Sequence, residues 1–139
     1  VERLFQIVTG QLARGLDDLE EALRGEGLDD AVVLDLRLVA EEVLTNIAKY
    51  GHDDGSDRPV LLRLTLVREE ATLVFADEGR PFDPLSAKPP GLAPEERPLG
   101  GLGILLVRSL TDAAEYSRRG SENVLTLRKR VGGRRSDVP

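Results

Sequence analysis

The spacing of apolar positions switches along the chain between a helical and a strand period. Over residues 11–24, Leu12, Leu16, Leu19 and Leu23 recur every three or four positions, which predicts one amphipathic helix, and Gly25 and Gly27 close it. A second helix is predicted over 30–50, with Asp29 as N-cap and Gly51 past its end. On it, Val39, Val43 and Ile47 form an apolar row suited to seating the helix on a sheet. Over 60–67 the period falls to two, with Leu62, Leu64 and Leu66 on one face and Arg63 and Thr65 on the other. Residues 71–76 follow a turn at Glu69-Glu70, predicting a hairpin. Residues 3–9, rich in Phe, Ile, Val and Thr, predict a short strand, with a helix as the competing reading. A third helix is expected over about 102–111, and 114–118 with 123–130 make a second hairpin.

Between these elements, 52–59 is loop by composition, and 77–99 holds six of the eight prolines and no clear period. So long a loop inside a compact domain is usually functional or mobile. The order β-α-α-β-β-loop-α-β-β does not alternate helix and strand one for one. It therefore predicts an α+β two-layer sandwich with the sheet covered on one face.

Composition narrows the chemistry. A chain of 139 residues is long enough for one domain that buries roughly two-thirds of its unfolded surface. With no cysteine, disulfides and thiolate metal sites are excluded, and the single histidine, His52, cannot build a zinc site alone. The net charge of −6 argues against direct nucleic-acid binding. No apolar run approaches a membrane span and no leader pattern opens the chain, so a cytoplasmic protein without membrane contact is expected. Arg128-Lys129-Arg130 and Arg134-Arg135 read as a solvated strand end and tail. The expected domain covers 1–131, with 132–139 as a disordered tail.

Three short segments then stand out. In Glu41-Glu42-Val43-Leu44-Thr45-Asn46, Glu42 and Asn46 lie four residues apart on one helix face, while Glu41 faces about 100° away. A carboxylate and an amide at the edge of a core suit a magnesium ion with its waters and phosphates. In Asp77-Glu78-Gly79 a carboxylate at a strand end can accept a hydrogen bond from an exocyclic amine, and the glycine leaves room for a flat ring. In Leu99-Gly100-Gly101-Leu102-Gly103, glycines at a helix entrance let backbone N–H groups approach phosphate oxygens. Each is weak alone; their order on these elements is specific.

Together the three segments resemble the ATP-binding domain shared by gyrase, the ninety-kilodalton heat-shock chaperones, sensor histidine kinases and mismatch-repair ATPases. Glu41 to Asn46 looks like the asparagine box of that superfamily, Asp77 to Pro84 like its first glycine box, and Gly100 to Gly103 like its second. Within it, the chain is most similar to bacterial anti-sigma-factor serine kinases of the partner-switching type. The Glu-x-x-x-Asn spacing, the Pro81-Phe82-Asp83-Pro84 continuation and the strand Asn123-Val124-Leu125-Thr126-Leu127 carry that likeness over residues 3–130.

The resemblance implies a two-layer sandwich with a mixed sheet of about five strands and three helices on one face. It implies ATP or ADP with Mg2+ as ligands. Asn46 would bind the magnesium, and Glu42 would be the general base for the attacking serine hydroxyl. Asp77 would accept the adenine amino group, with Gly79 admitting the ring. Gly100, Gly101, Leu102 and Gly103 would form the phosphate loop, with Lys49 and Arg97 adding positive charge. Asn123 stands where relatives often have a threonine near the adenine, and residues 83–99 correspond to the lid. The implied partners are a sigma factor or related regulator held by the kinase, a small antagonist protein as phosphorylation substrate, and a second copy of the chain.

Two departures are visible. No histidine follows the asparagine box near Tyr50, and Arg97 lies further from Gly101 than in relatives. A nucleotide-gated binding module without transferase activity is the alternative reading, and Glu42 discriminates, because a pure binder needs no base there.

Overall fold

The alternation of apolar residues builds one five-stranded sheet, and the helical stripes cover one of its faces. The computed structural model describes residues 1–51, 58–85 and 100–132, with the backbone alone at 100–102. In chain order the elements are β1 (Glu2–Val8), α1 (Leu12–Gly25), α2 (Asp30–Tyr50), β2 (Pro59–Val67), β3 (Glu70–Asp77), α3 (Gly100–Leu110), β4 (Ala113–Arg119) and β5 (Glu122–Arg130). A short 3-10 turn, Thr9–Gln11, joins β1 to α1. The expected order is the observed one, and the first segment is a strand rather than a helix. Residues 52–57, 86–99 and 133–139 lie outside the described residues, and with them most of the expected lid and the expected tail.

The strands run in the order β1-β2-β3-β5-β4, and every neighbouring pair is antiparallel. The expectation of a mixed sheet is therefore corrected. Two helices in succession between β1 and β2 bring the chain back in the opposite direction. The single helix α3 does carry the chain from β3 to a strand running the same way, β4. The hairpin partner β5 then fills the position between them, so no parallel pair is adjacent.

Alternation decides which face is buried. Val60, Leu62, Leu64 and Leu66 of β2, with Ala71, Leu73 and Phe75 of β3 and Leu125 and Leu127 of β5, point under the helices and are at most 2% exposed. Against them lie Leu16, Leu19 and Leu23 of α1 and Val33, Leu36, Val39, Val43, Leu44 and Ile47 of α2. Each such side chain contributes about 1.5–3 kcal/mol by leaving water. Gly15 lets α1 sit close on β1, since a Cβ there would stand 2.7 Å from Cγ2 of Ile7. Arg37 of α2 reaches Asp17 at 2.8 Å and Glu20 at 3.5 Å on α1, a surface tie of small energy.

Three local details differ from the sequence reading. The β2–β3 turn is Arg68-Glu69, one residue earlier than expected, and Arg68 adopts a left-handed φ of 55°. Asp29 occupies the N-cap of α2 with extended backbone but makes no side-chain capping hydrogen bond. Lys129, expected on a solvated strand end, points inward: its Nζ donates to the carbonyl of Leu110 at 2.8 Å and lies 3.7 Å from Asp35. A cation at the last carbonyl of α3 is favoured by the helix dipole. No helix among the described residues is long and apolar enough to cross a membrane.

Candidate functional site

Among the described residues only three polar side chains belong to the buried class: Asn46, Asp77 and Asn123. All three were singled out from the sequence, and they come from α2, β3 and β5. Register brings two of them side by side, because Asp77 is the cross-strand partner of Asn123. Both occupy the helix-covered face, where the alternation Ala71, Leu73, Phe75 would otherwise place another apolar residue.

Asp77 ends β3. Its Oδ2 accepts from the N–H of Gly79 at 2.9 Å and from Nδ2 of Asn123 at 3.5 Å. Asn123 goes further: Nδ2 also donates to the carbonyl of Arg80 at 2.8 Å, and Oδ1 accepts from the N–H of Phe82 at 3.2 Å and the hydroxyl of Tyr116 at 2.5 Å. The turn after Asp77 is tied on both sides. Arg118 donates to the carbonyl of Gly79 at 2.7 Å. On the α2 side, Arg80 donates through Nε to the carbonyl of Tyr50 at 2.8 Å and through its N–H to the carbonyl of Gly51 at 3.0 Å. The rings of Tyr50 and Phe82 pack with centroids 5.7 Å apart. Loss of water around Tyr116 raises its pKa, which favours the protonated hydroxyl that donates here.

Asn46 and Glu42 sit one turn apart on α2. Nδ2 of Asn46 donates to the carbonyl of Pro84 at 3.4 Å, and because that carbonyl can only accept, the contact also fixes which amide atom points elsewhere. Oδ1 accepts no hydrogen bond among the described residues, although the side chain is 7% exposed. Glu42 is half-buried and forms no hydrogen bond or ion pair there either. Its carboxylate lies against Gly103. A Cβ at that position would overlap Oε2 and stand 2.8 Å from Cδ, so glycine lets the carboxylate rest on α3, and a larger residue would make the Glu42 side chain turn aside.

The glycine-rich segment was expected to open a third helix over about 102–111. It does, and α3 starts slightly earlier, at Gly100, so Gly100, Gly101, Leu102 and Gly103 make up its first turn. The first four N–H groups of a helix have no intrahelical partner, and in this first turn Gly103 lies against Glu42. The first turn of α3 thus lies against a carboxylate that has no partner among the described residues, one helical turn from an amide oxygen that accepts nothing among them.

A family model described as the histidine kinase-like ATPase domain matches residues 8–129. The chain belongs to that family. As an ATPase domain of this kind it is a nucleotide-binding module. It is 37% identical over 94 residues to a protein named serine/threonine-protein kinase BtrW from Bordetella bronchiseptica, and the aligned stretch covers 66% of each chain, just under two-thirds. Among solved structures, the RsbU and RsbW domains of Rv1364c from Mycobacterium tuberculosis superpose with a TM-score of 0.65 at 16% identity. That match covers 93% of this chain and 32% of the other, and it shows the shared fold.

Within this ATPase domain the remaining sequence-derived residues fall as follows. Gly79 is buried in the turn behind Asp77. Lys49 is exposed on the last turn of α2 and forms no ion pair among the described residues, and Glu41 is exposed as its angle on the helix required. Arg97 lies outside the described residues. The sequence reading missed Tyr116, Arg118 and Arg80, which hold the Asp77 turn. Only the β4–β5 register, which pairs Tyr116 with Leu125 and Arg118 with Asn123, brings two of them to the site, and no local motif signals it.

Proposed function

We propose that this ATPase domain is an ATP-dependent protein serine/threonine kinase of the anti-sigma type, phosphorylating a small antagonist protein and holding a sigma factor or related regulator. The observation that carries the reading is Glu42: a half-buried carboxylate without a partner among the described residues, pressed against the first turn of α3 and one helical turn from Asn46. A nucleotide binder without chemistry has no use for a base at that place.

In this reading Asp77 accepts the adenine amine and Gly79 admits the ring, while the N–H groups of Gly100 to Gly103 take phosphate oxygens, helped by Lys49 and Arg97. The oxygen of Asn46 fits a hard cation, being buried and without a hydrogen bond among the described residues. A bound Mg2+ would draw negative charge from the phosphates as the terminal one is transferred. Glu42 accepts the proton from the substrate hydroxyl as its oxygen bonds to the terminal phosphorus. The bond from that phosphorus to the bridging oxygen breaks, and ADP leaves.

The kinase name of the Bordetella relative supports phosphotransfer, and the fold shared with an RsbW domain supports the regulatory setting. The acidic balance suits a basic client, for which opposite charge speeds encounter. Assembly as a homodimer in the cytoplasm belongs to the same reading.

Glu42→Gln tests it, because the amide keeps the shape but cannot take a proton. Transfer from labelled ATP to an antagonist protein should fall on the order of 10²–10⁴-fold while ATP affinity holds. Transfer at the wild-type rate would remove Glu42 as the base. A wild type that binds ATP and phosphorylates no candidate antagonist would leave a nucleotide-gated binding module.

A further inference from the structure

Asn123 was expected to be a nucleotide contact, but its hydrogen-bonding capacity is filled inside the protein. A side-chain amide has two donor hydrogens and an oxygen that accepts twice. In Asn123 both hydrogens are used, on Arg80 and Asp77, and the oxygen accepts from Phe82 and Tyr116. The backbone partners settle its orientation, because the carbonyl of Arg80 can only accept and the N–H of Phe82 can only donate. The side chain is 3% exposed, so exchanging any of these partners for a ligand would strand a buried group.

What the amide does is fix Asp77 and the turn behind it. Oδ2 of Asp77 is held by Gly79 and Asn123 together, which sets the plane of the carboxylate. The same amide spans the turn from Arg80 to Phe82. Its own oxygen is held from the far side by Tyr116, on the edge strand β4, and Arg118 from that strand holds Gly79.

We propose that Asn123 and Tyr116 are positioning residues that orient the Asp77 carboxylate, so that the β4–β5 hairpin governs selectivity for a base carrying an exocyclic amine without touching the base. The proposal rests on Asp77 as the acceptor for that amine, part of the reading above. Selectivity is the property a positioning role must move. A misaligned carboxylate weakens binding of a base that donates to it, and leaves alone a base with an oxygen in that position.

The experiment is calorimetric titration of the full chain with ATP and with ITP, whose hypoxanthine has a carbonyl where adenine has the amine. The proteins are wild type, Asp77→Asn, Asn123→Ala, Tyr116→Phe and the double variant Asp77→Asn/Asn123→Ala, each checked for folding by thermal melting. Wild type should prefer ATP by about tenfold or more, and Asp77→Asn should lose most of that preference. Asn123→Ala should lower the preference by about fivefold or more with ITP affinity held, and Tyr116→Phe by about two- to threefold. In the Asp77→Asn background, Asn123→Ala should change the preference no further.

A preference unchanged by Asn123→Ala, or equal losses for ATP and ITP, would overturn the positioning role. So would a loss that adds fully to that of Asp77→Asn, which is the mark of a direct contact. If Asn123→Ala does not fold, Tyr116→Phe decides, and a wild-type preference in that variant overturns the proposal. A wild type that binds ATP and ITP alike, or an Asp77→Asn variant that still discriminates, overturns the Asp77 assignment instead, and the positioning proposal falls with it.

Discussion

The two ends of the site are built in opposite ways. Around Asp77 and Asn123 the hydrogen bonds are numerous, and they tie β3, β5, β4 and the end of α2 into one network. Around Glu42 and Asn46, among the described residues, a carboxylate has no partner, an amide oxygen accepts nothing, and the glycine-rich first turn of α3 lies against the carboxylate. Buried polar groups are normally satisfied, so the second arrangement is the unusual one. The difference suits a ligand with two kinds of ends. A flat base is selected by donors and acceptors fixed in advance, whereas phosphates and a hydrated cation bring their own charge and complete a site left incomplete.

The comparison can be broken most directly through ligand affinity at the preorganised end. Asp77→Asn should weaken ATP binding by about 1.5–3 kcal/mol, the range for a hydrogen bond to a charged group. Calorimetry giving wild-type affinity would show that the network serves the fold alone.

Stability without nucleotide offers a second comparison. Asn123→Ala leaves several buried groups short of a partner and should cost about 1–3 kcal/mol in denaturant unfolding. Gly103→Ala belongs to the other end, and its loss should be smaller, up to about 1 kcal/mol, because its methyl group meets the Glu42 carboxylate, which ends a flexible side chain, and alanine favours the helix. The two losses differ in kind. Adding Glu42→Ala should recover much of the Gly103→Ala loss and none of the Asn123→Ala loss. Recovery of neither would mean that α3 and Glu42 are not in contact in solution.

The smallest effects are expected where the site is unfinished. Glu42→Gln and Asn46→Ala remove no strong contact and should each stay within about 0.5 kcal/mol of wild type in the absence of ligand. Their signature lies elsewhere. Chelating divalent cations should weaken ATP binding by wild type and leave Asn46→Ala unchanged. A large stability loss in either variant would show that these groups hold the apo fold, and would erase the contrast between the two ends.

Much of this was legible in the chain. The periods of 3.6 and 2.0 report which face of an element is buried, and that depends on local spacing, so every helix and strand was recovered to within a residue or two. The three buried polar residues were legible for a related reason, since Asn46, Asp77 and Asn123 each interrupt or flank an apolar pattern that needed no polar group. The turn at Arg68, the inward course of Lys129 and the mixed sheet were misread, because each depends on what a segment meets after folding.

By itself, the sequence determined the elements, their order, the covered face of the sheet and the identity of the polar residues set into that face, because helical and strand periodicity are properties of neighbouring positions. Tertiary structure decided the rest. Placing β5 between β3 and β4 put Asn123 beside Asp77 and brought Tyr116 and Arg118 to the same turn. Packing α3 against α2 laid Gly103 on Glu42. Contacts between segments tens of residues apart follow from sheet order and helix docking, and no local spacing encodes them.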